Sequence, residues 1–516
     1  QQAGALLEQF YVDQIPDSVL AQEDLDSMLE ALGDPYTVYM TKEEYSAFLN
    51  SVNGETLVGI GVSIQKEVTE HGFLILSILP DSPAEQAGLE EGDCIMSIDG
   101  VPVTASEQSS ALTGQEGSRV TLTVLSGKTG STRELTLTRR KVQVPIVTYS
   151  LVDGVAVIEC ISFGDTTAET ISQALAQYDD LDRPILLDLR SNPGGDSKST
   201  AGSASYFTGG GIMLYFRDGA GNYNYTYTPP TYPDLTDKPV IVLTSPNSAS
   251  GAELFAGIIR DYEAGIALGQ RTFGKGTAQI VLTNESTDKL SGGEALRVTV
   301  YRFFSPDGVT NHIVGVLPTL VLSPDNTQAA ALLLGEAKPA RAEGYLKLEL
   351  AGQTFYLDLA KATAEDNKAA FTELLEALPP AAKLSQGSGT QVWTEVTPAQ
   401  LAQTMKLSFT PRSFTDTQQS PYAREIDTLA AYQLLTGDES GAFRPGEAIT
   451  RGEFCAMAAQ ALGLYGGDKL TFSDVPEDAW YAQAVSDMAS LGFISGYENG
   501  SFRPEDPITY EQMITS

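Results

Sequence analysis

The chain has 516 residues with a formal net charge of −35 and a pI near 4.3, enough chain for three or more domains at roughly 100–200 residues each. Phosphate backbones and anionic lipid both require clustered Lys and Arg, so an acidic excess of this size argues against nucleic-acid binding and against electrostatic docking on membranes. Cys94, Cys160 and Cys455 fall in three separate segments and form neither a disulfide framework nor a metal-ligand spacing, no metal or cofactor is expected, and no apolar run reaches the roughly 18–20 residues of a membrane span.

Residues 1–52 read as an N-terminal helical region. Ala21 to Asp24 opens an apolar pattern through Leu25, Met28, Leu29 and Leu32, and Gly33-Asp34-Pro35 stops it. The stretch Tyr36 to Tyr45 is expected to form a helical cap that buries its tyrosines. In residues 53–143, Gly59-Ile60-Gly61-Val62 is followed by a turn and helix over Asp81 to Leu89. A strand within Gly92 to Gly100 then closes on an Asp-Gly turn. These ordered pieces resemble a PDZ domain, a mixed β-barrel-like fold. The resemblance implies that backbone N–H groups of Gly59, Ile60, Gly61 and Val62 take the terminal carboxylate of a peptide while the adjoining strand pairs with it.

Residues 144–336 alternate strands with helices. Val155 to Ile158, Ile185 to Leu189 and Val240 to Leu243 are near-continuous apolar runs of the kind found in buried parallel strands, so an α/β layered core is expected. After the last run, Thr244-Ser245-Pro246-Asn247-Ser248-Ala249-Ser250 leads into an apolar helical pattern of Leu254, Phe255, Ile258 and Ile259. Ser250 therefore stands at a strand-to-helix turn, beside the unpaired N–H groups of a helix start. Taken alone, Ser250 with Glu253 reads as a capping box. Lys275, between Gly274 and Gly276, reads as a surface lysine, and Asn192-Pro193-Gly194-Gly195 as a tight turn. The only histidines, His71 and His312, lie in turn sequences and read as surface residues, so lysine is the better base if this is a serine hydrolase.

Together, Asp188 to Gly195, Thr244 to Leu254 and Thr272-Phe273-Gly274-Lys275-Gly276-Thr277-Ala278-Gln279 resemble the C-terminal processing (tail-specific) proteases, over roughly residues 20 to 325. The family pattern Ser-Ala-Ser-Ala-Ser-Glu is changed only at Gly251 and Ala252. Asp34-Pro35-Tyr36 is similar to the segment that precedes the PDZ domain in that family. The resemblance implies a serine–lysine peptidase core with Ser250 as nucleophile, Lys275 as general base and Gln279 as the lysine's partner. It also implies an oxyanion hole at Gly194, Gly195 and the amide of Gly251, and protein or peptide substrates captured by their C-termini.

Residues 337–410 read as a small α/β spacer: strands at Tyr345 to Leu350 and Gln353 to Leu359, a helix over Ala362 to Leu378, and a flexible loop at Ser385 to Gly389. Residues 411–467 and 468–516 are two copies of one unit. Phe414-Thr415-Asp416 recurs as Phe472-Ser473-Asp474 and Gly441-Ala442-Phe443-Arg444-Pro445 as Gly500-Ser501-Phe502-Arg503-Pro504, at a period of roughly 58–59 residues. The copies resemble the all-α surface-layer homology repeats that hold bacterial exoproteins to cell-wall polysaccharide. That resemblance puts Arg451 at the polymer-contacting position, where Tyr510 stands in the second copy. The structural alternative is a helical pair with Trp480 and the phenylalanines as its core. The reading as a whole is a serine endopeptidase held at the surface of a Gram-positive-type bacterium, exported by a leader absent from a chain that starts at Gln1, with a homodimer compatible. The alternative is an inert wall-anchored PDZ scaffold. A polysaccharide-cleaving enzyme lacks a convincing carboxylate pair.

Overall fold

The computed structural model describes all residues except 1, 55, 66–67, 80, 230–235, 291, 439, 465–468, 510–511 and 514–516; Tyr510 lies outside the described residues. The chain forms two compact units, Lys42–Ile146 and the remainder, Gln1–Thr41 with Val147–Ser516. Helix Lys42–Asn53 falls in the smaller unit, so the first 52 residues divide at Thr41.

In the smaller unit, strands Val62–Ile64, Phe73–Ile78, Cys94–Ile98, Arg119–Leu125 and Thr132–Thr138 form an antiparallel sheet, and Thr56–Gly59 pairs with Arg140–Gln143. Alternation in Arg119–Leu125 turns Val120, Leu122 and Val124 inward against Phe73, Ile75 and Ile95. The predicted Asp-Gly turn is present, with Asp99 at φ 50° and Gly100 at φ 79° joining Ile98 to Val101.

The larger unit is built on a six-stranded sheet whose spatial order follows the sequence: β1 (Val147–Val152), β2 (Val155–Cys160), β3 (Ile185–Asp188), β4 (Val240–Thr244), β5 (Gly265–Gly269) and β6 (Leu320–Val321). Only the β1–β2 pair is antiparallel. Strand β4 lies in the middle with every residue buried, which is why it carries an unbroken apolar run rather than alternation. Each such side chain contributes about 1.5–3 kcal/mol by leaving water. The crossovers include α1 (Thr167–Gln177), α2 (Ser197–Thr208) and α3 (Gly251–Asp261).

A second sheet orders strands Val38–Met40, Ala295–Phe304, Gly211–Asp218 and Tyr223–Thr228, with Thr277–Thr283 also paired to Ala295–Phe304. The N-terminal helices pack Leu6, Leu7 and Met28 on Leu296, Val298 and Val300. As the sequence indicates, Asp24 caps helix Leu25–Leu32 by accepting from Ser27 N (2.8 Å), and Gly33 ends it at φ 70°. The chain then departs from the predicted helical cap. Val38–Met40 is a strand paired antiparallel to the long strand, Met40 against Ala295 and Val38 against Arg297. That pairing fixes where Asp34 to Thr37 lie.

Residues 337–410, expected as a small α/β spacer, pack onto the main sheet of the larger unit. Strands Tyr345–Leu350, Gln353–Asp358, Lys383–Ser388 and Val392–Glu395 form an antiparallel sheet. It shares one hydrophobic core with β3 to β6 through α4 (Pro324–Leu334). Ser385 to Gly389, expected as a flexible loop, lies largely in a strand. Gly387 is required there because a Cβ would come within 1.9 Å of Ala342 O.

The C-terminal repeats carry α5 (Ala423–Ala431), α6 (Arg451–Leu462) and α7 (Ala482–Ser490). The repeated Asp does the same work in both copies. Asp416 accepts from the N–H groups of Phe443 and Arg444 (2.8 and 2.7 Å), and Asp474 from those of Phe502 and Arg503 (2.7 and 2.8 Å). Phe502 is buried in the repeat core, but Trp480 is 69% exposed and lies edge-on to Tyr481, so it is not core. Among the described residues, no helix is long and apolar enough to cross a membrane.

Candidate active site

Strand β4 delivers the chain to the turn Ser245–Ser250, and that turn is over-determined. Ser248 Oγ donates to Leu189 O (2.7 Å) and accepts from Ser245 N (3.0 Å). Ala249 N donates to Asn192 O (3.0 Å). Against these restraints Ser250 adopts φ 53°, ψ −111°, a conformation that costs a non-glycine residue about 1–3 kcal/mol and persists only where the surroundings enforce it. The capping-box reading holds for one half only. Ser250 N donates to Glu253 Oε2 (2.8 Å), while Ser250 Oγ makes no cap to the helix and is left half-exposed at its start.

Glu253 is the residue whose role the spacing alone did not reveal. It is 1% exposed, yet its carboxylate meets four donors. Oε1 accepts from Thr272 Oγ1 (2.6 Å) and Gly274 N (2.8 Å); Oε2 accepts from Ser250 N and Lys275 N (each 2.8 Å). Burial pushes the carboxyl's pKa up and these hydrogen bonds oppose the rise. One carboxylate thus fixes the backbone of Ser250 and of Lys275 together. Phe273 N, donating to Ser248 O (3.0 Å), adds a further tie between the two loops.

Lys275 is not a surface lysine. Its side chain is mostly enclosed, and Nζ lies 4.5 Å from the centre of the Tyr36 ring. Burial, aided by the nearby Arg297 cation and opposed by Asp34 and Glu253, lowers its pKa to about 8. The Asp34-Pro35-Tyr36 segment is held there by Arg297 Nε donating to Tyr36 O (3.0 Å) and by Thr299 N donating to Thr37 Oγ1 (3.1 Å). Among the described residues, no hydrogen bond joins Lys275 Nζ to Ser250 Oγ in this conformation. Gln279 is not on the lysine either: its Nε2 donates to Thr277 Oγ1 (3.2 Å) and Thr299 Oγ1 (3.1 Å).

The glycine turn after β3 packs directly on the serine. A Cβ on Gly194 would fall 2.7 Å from Ser250 Cβ, and one on Gly195 would fall 2.2 Å from Phe163 O; the two residues have φ 108° and 147°. Asn192, fully buried, holds this turn by donating to Cys160 O (2.9 Å) and accepting from Gly194 N (2.7 Å). The Gly194 N–H is therefore committed. Among the described residues, the backbone amides of Gly195 and Gly251, beside Ser250, have no hydrogen-bond partner. Asp188 and Arg190 pair with each other (2.6 Å), as a structural role requires.

His312, read as a surface turn residue, packs against Gly276, where a Cβ would meet its backbone N at 2.6 Å, and its Nδ1 is enclosed without a partner among the described residues. In the smaller unit, Ile60 is 1% exposed and its N–H donates to Leu112 O (3.2 Å), whereas Gly61 N has no partner among the described residues. Arg451 is 8% exposed: Nε donates to Phe502 O (3.0 Å), Nη2 to Ser495 O (3.3 Å), and the guanidinium lies 4.5 Å from the Phe502 ring centre. It lines a cavity of about 540 Å³ with Phe454, Phe493 and Tyr497.

Residues 154–322 match the model of peptidase family S41, residues 74–126 that of a PDZ domain, and residues 413–455 and 471–514 that of the S-layer homology domain. A probable CtpA-like serine protease of Staphylococcus haemolyticus (strain JCSC1435) is 32% identical over 311 residues, 59% of this chain and 60% of that protein. Its counterpart in Staphylococcus aureus (strain bovine RF122 / ET3-1) is 30% identical over 325 residues, 62% of this chain and 63% of that one. Among solved structures, the photosystem II D1 C-terminal processing protease is similar at 26% identity and a TM-score of 0.39, over 63% of this chain and 92% of that one. The chain spans about 60% of the length of the first curated relative and 63% of the second. It carries a peptidase family S41 domain, a PDZ domain and two S-layer homology domains.

Proposed function

We propose that this chain is a serine endopeptidase of the C-terminal processing type, with Ser250 as nucleophile and Lys275 as general base. The observation that carries the reading is the shared anchorage of the two residues. Glu253 binds the backbone of both, and Lys275 is enclosed enough to lose its proton near pH 8. A serine hydroxyl is a poor nucleophile until a base takes its proton, and a lysine does this only when neutral. A rotation of the Lys275 side chain off Tyr36 toward Ser250 Oγ forms the reacting pair. Gln279, fixed by Thr277 and Thr299 through Nε2, keeps Oε1 as an acceptor for the lysine.

Ser250 Oγ then attacks the scissile carbonyl carbon and its proton passes to Lys275. The oxyanion is held by the N–H groups of Gly195 and Gly251, each worth about 3–4 kcal/mol by analogy with single oxyanion-hole donors. Lys275 returns the proton to the leaving amine, then takes a proton from water as that oxygen attacks the acyl carbon, and passes it to Ser250 Oγ as the C–Oγ bond breaks and the acid leaves. The PDZ domain delivers substrate C-termini on the loop Gly59 to Val62, and the S-layer homology repeats hold the exported protein to cell-wall polysaccharide through the Arg451 cavity. Turnover of an unfolded protein substrate tests this. Ser250→Ala and Lys275→Ala are each expected to abolish it with the circular dichroism spectrum retained; an active Lys275→Ala protein would remove the dyad.

A further inference from the structure

The loop that carries Lys275 has a second seat outside the peptidase core. Arg271, four residues before the lysine, donates from Nη1 to Val314 O (2.7 Å) and from Nη2 to Ala461 O (2.7 Å). Ala461 is in the last turn of α6, where helix carbonyls lack internal partners and a cation is favourable. Gly463 ends that helix at φ 67° and lies against the arginine stem; a Cβ there would fall 2.7 Å from Arg271 Cδ. Helix α6 comes from the first C-terminal repeat, and its other end, at Arg451, lines the cavity.

From Arg271 the restraints run into the site without a break. Thr272 N donates to Val316 O (3.1 Å), and Thr272 Oγ1 donates to Glu253 and accepts from Val316 N (2.6 Å each). Gly274 N and Lys275 N then meet Glu253. Arg271 thus joins three segments that the sequence holds far apart: the lysine loop, the turn at Val314 and the end of α6.

We propose that Arg271 is a positioning residue for the Lys275 loop, and that the first wall-binding repeat supplies half of its seat. The repeat is then part of the scaffold of the peptidase site and not a passenger tethered to it. The inference rests on the peptidase reading for its effect on turnover, but the seat itself can be read without catalysis.

The test uses the full chain and its Arg271→Ala, Arg271→Lys, Gly463→Ala and Gln460→Ala variants. Gln460 bonds Gln433 O within the repeat and is the control. Two readouts are taken: hydrogen exchange of amides 272–276, and kcat, KM and the pH profile on fluorescein-labelled casein. Arg271→Ala is expected to speed exchange in that loop and to lower kcat at pH 7.5 by about 10- to 100-fold with KM little changed, as small misplacements of reacting groups do. Water admitted to the lysine moves the acid limb of the profile to higher pH, because the remaining neighbours, Tyr36, Asp34, Arg297 and Glu253, are untouched. Gly463→Ala, which acts from the repeat, is expected to move exchange and rate in the same direction, Arg271→Lys less so, and Gln460→Ala not at all. Unchanged exchange at 272–276 in both Arg271→Ala and Gly463→Ala would overturn the inference. Faster exchange with parental kcat and pH profile would overturn the positioning role. A parent chain no more active than Ser250→Ala would instead count against the peptidase reading and leave the exchange result to decide the seat. Should Arg271→Ala fail to fold, Gly463→Ala and Arg271→Lys decide both points.

Discussion

Replacing Glu253 by glutamine keeps the shape of the side chain and removes its ability to accept from four donors. The two donors on Oε2, Ser250 N and Lys275 N, are backbone groups that cannot turn away; on Oε1, Gly274 N is equally fixed and only the Thr272 hydroxyl can rotate. The least costly arrangement puts the new amide nitrogen on the Thr272 side. Thr272 Oγ1 can then accept, but Gly274 N–H faces another donor at a distance set for an oxygen. A buried donor left without an acceptor costs about 1–3 kcal/mol, and the charge-assisted bonds that become neutral lose roughly half their strength. Relief of the carboxylate's desolvation offsets part of this, so Glu253→Gln should destabilise by about 2–3 kcal/mol, a large share of the 5–15 kcal/mol typical of a domain. Because the same carboxylate holds the nucleophile turn and the lysine loop, turnover should fall by about 100-fold or more. Urea denaturation followed by fluorescence, alongside casein turnover, reads both. A Glu253→Gln protein within about 0.5 kcal/mol of the parent, at near-parental kcat, would refute the argument that this group joins the two halves of the site.

Lys275→Met should be inactive yet more stable at neutral pH. A folded-state pKa lowered from 10.5 to about 8 means the folded protein binds fewer protons than the unfolded chain between those values. The penalty, about 3 kcal/mol, is therefore full below pH 8 and gone above 10.5. Loss of the contact with Tyr36 returns about 1–2 kcal/mol, so urea melts at pH 7 should show a net gain near 1–2 kcal/mol that disappears by pH 10. Gly195→Ala should remove turnover and destabilise the core by about 2–4 kcal/mol, since its Cβ would meet Phe163 O at 2.2 Å in a left-handed conformation; thermal melts check it. Arg451→Ala should abolish sedimentation with purified cell-wall polysaccharide. It should also lower the melting temperature of the repeats, because the guanidinium is packed on Phe502 and bonds two carbonyls.

What was legible in the sequence follows from the range of the interactions. The apolar run of β4, the Ser-x-x-Glu start of α3 and the repeated Phe-x-Asp signal act within a few residues, and each leaves a local pattern. The anchorage of Lys275 does not. Glu253 reaches it across 22 residues, and Tyr36 covers it across more than 200 because Val38–Met40 pairs with Ala295–Phe304. The same non-local pairing explains why the tyrosine segment forms a strand where the local pattern favours helix. Trp480 misled for another reason: an aromatic at a helix start is core only if it is covered, and here Trp480 lies edge-on to Tyr481 and stays 69% exposed. Gly387 looked like part of a loop because glycine is common in loops, whereas its place in a strand is set by the close approach of Ala342.

The rate at which a fluorophosphonate phosphonylates Ser250 Oγ with loss of fluoride, followed by mass spectrometry across pH 6 to 10, reads the pairing of Ser250 with Lys275. A single modified residue, Ser250, is expected, with a rate that climbs as pH rises through about 8, the value at which Lys275 gives up its proton, and that collapses in Lys275→Met. Modification elsewhere, or a rate at Ser250 indifferent both to pH and to the loss of Lys275, would contradict it.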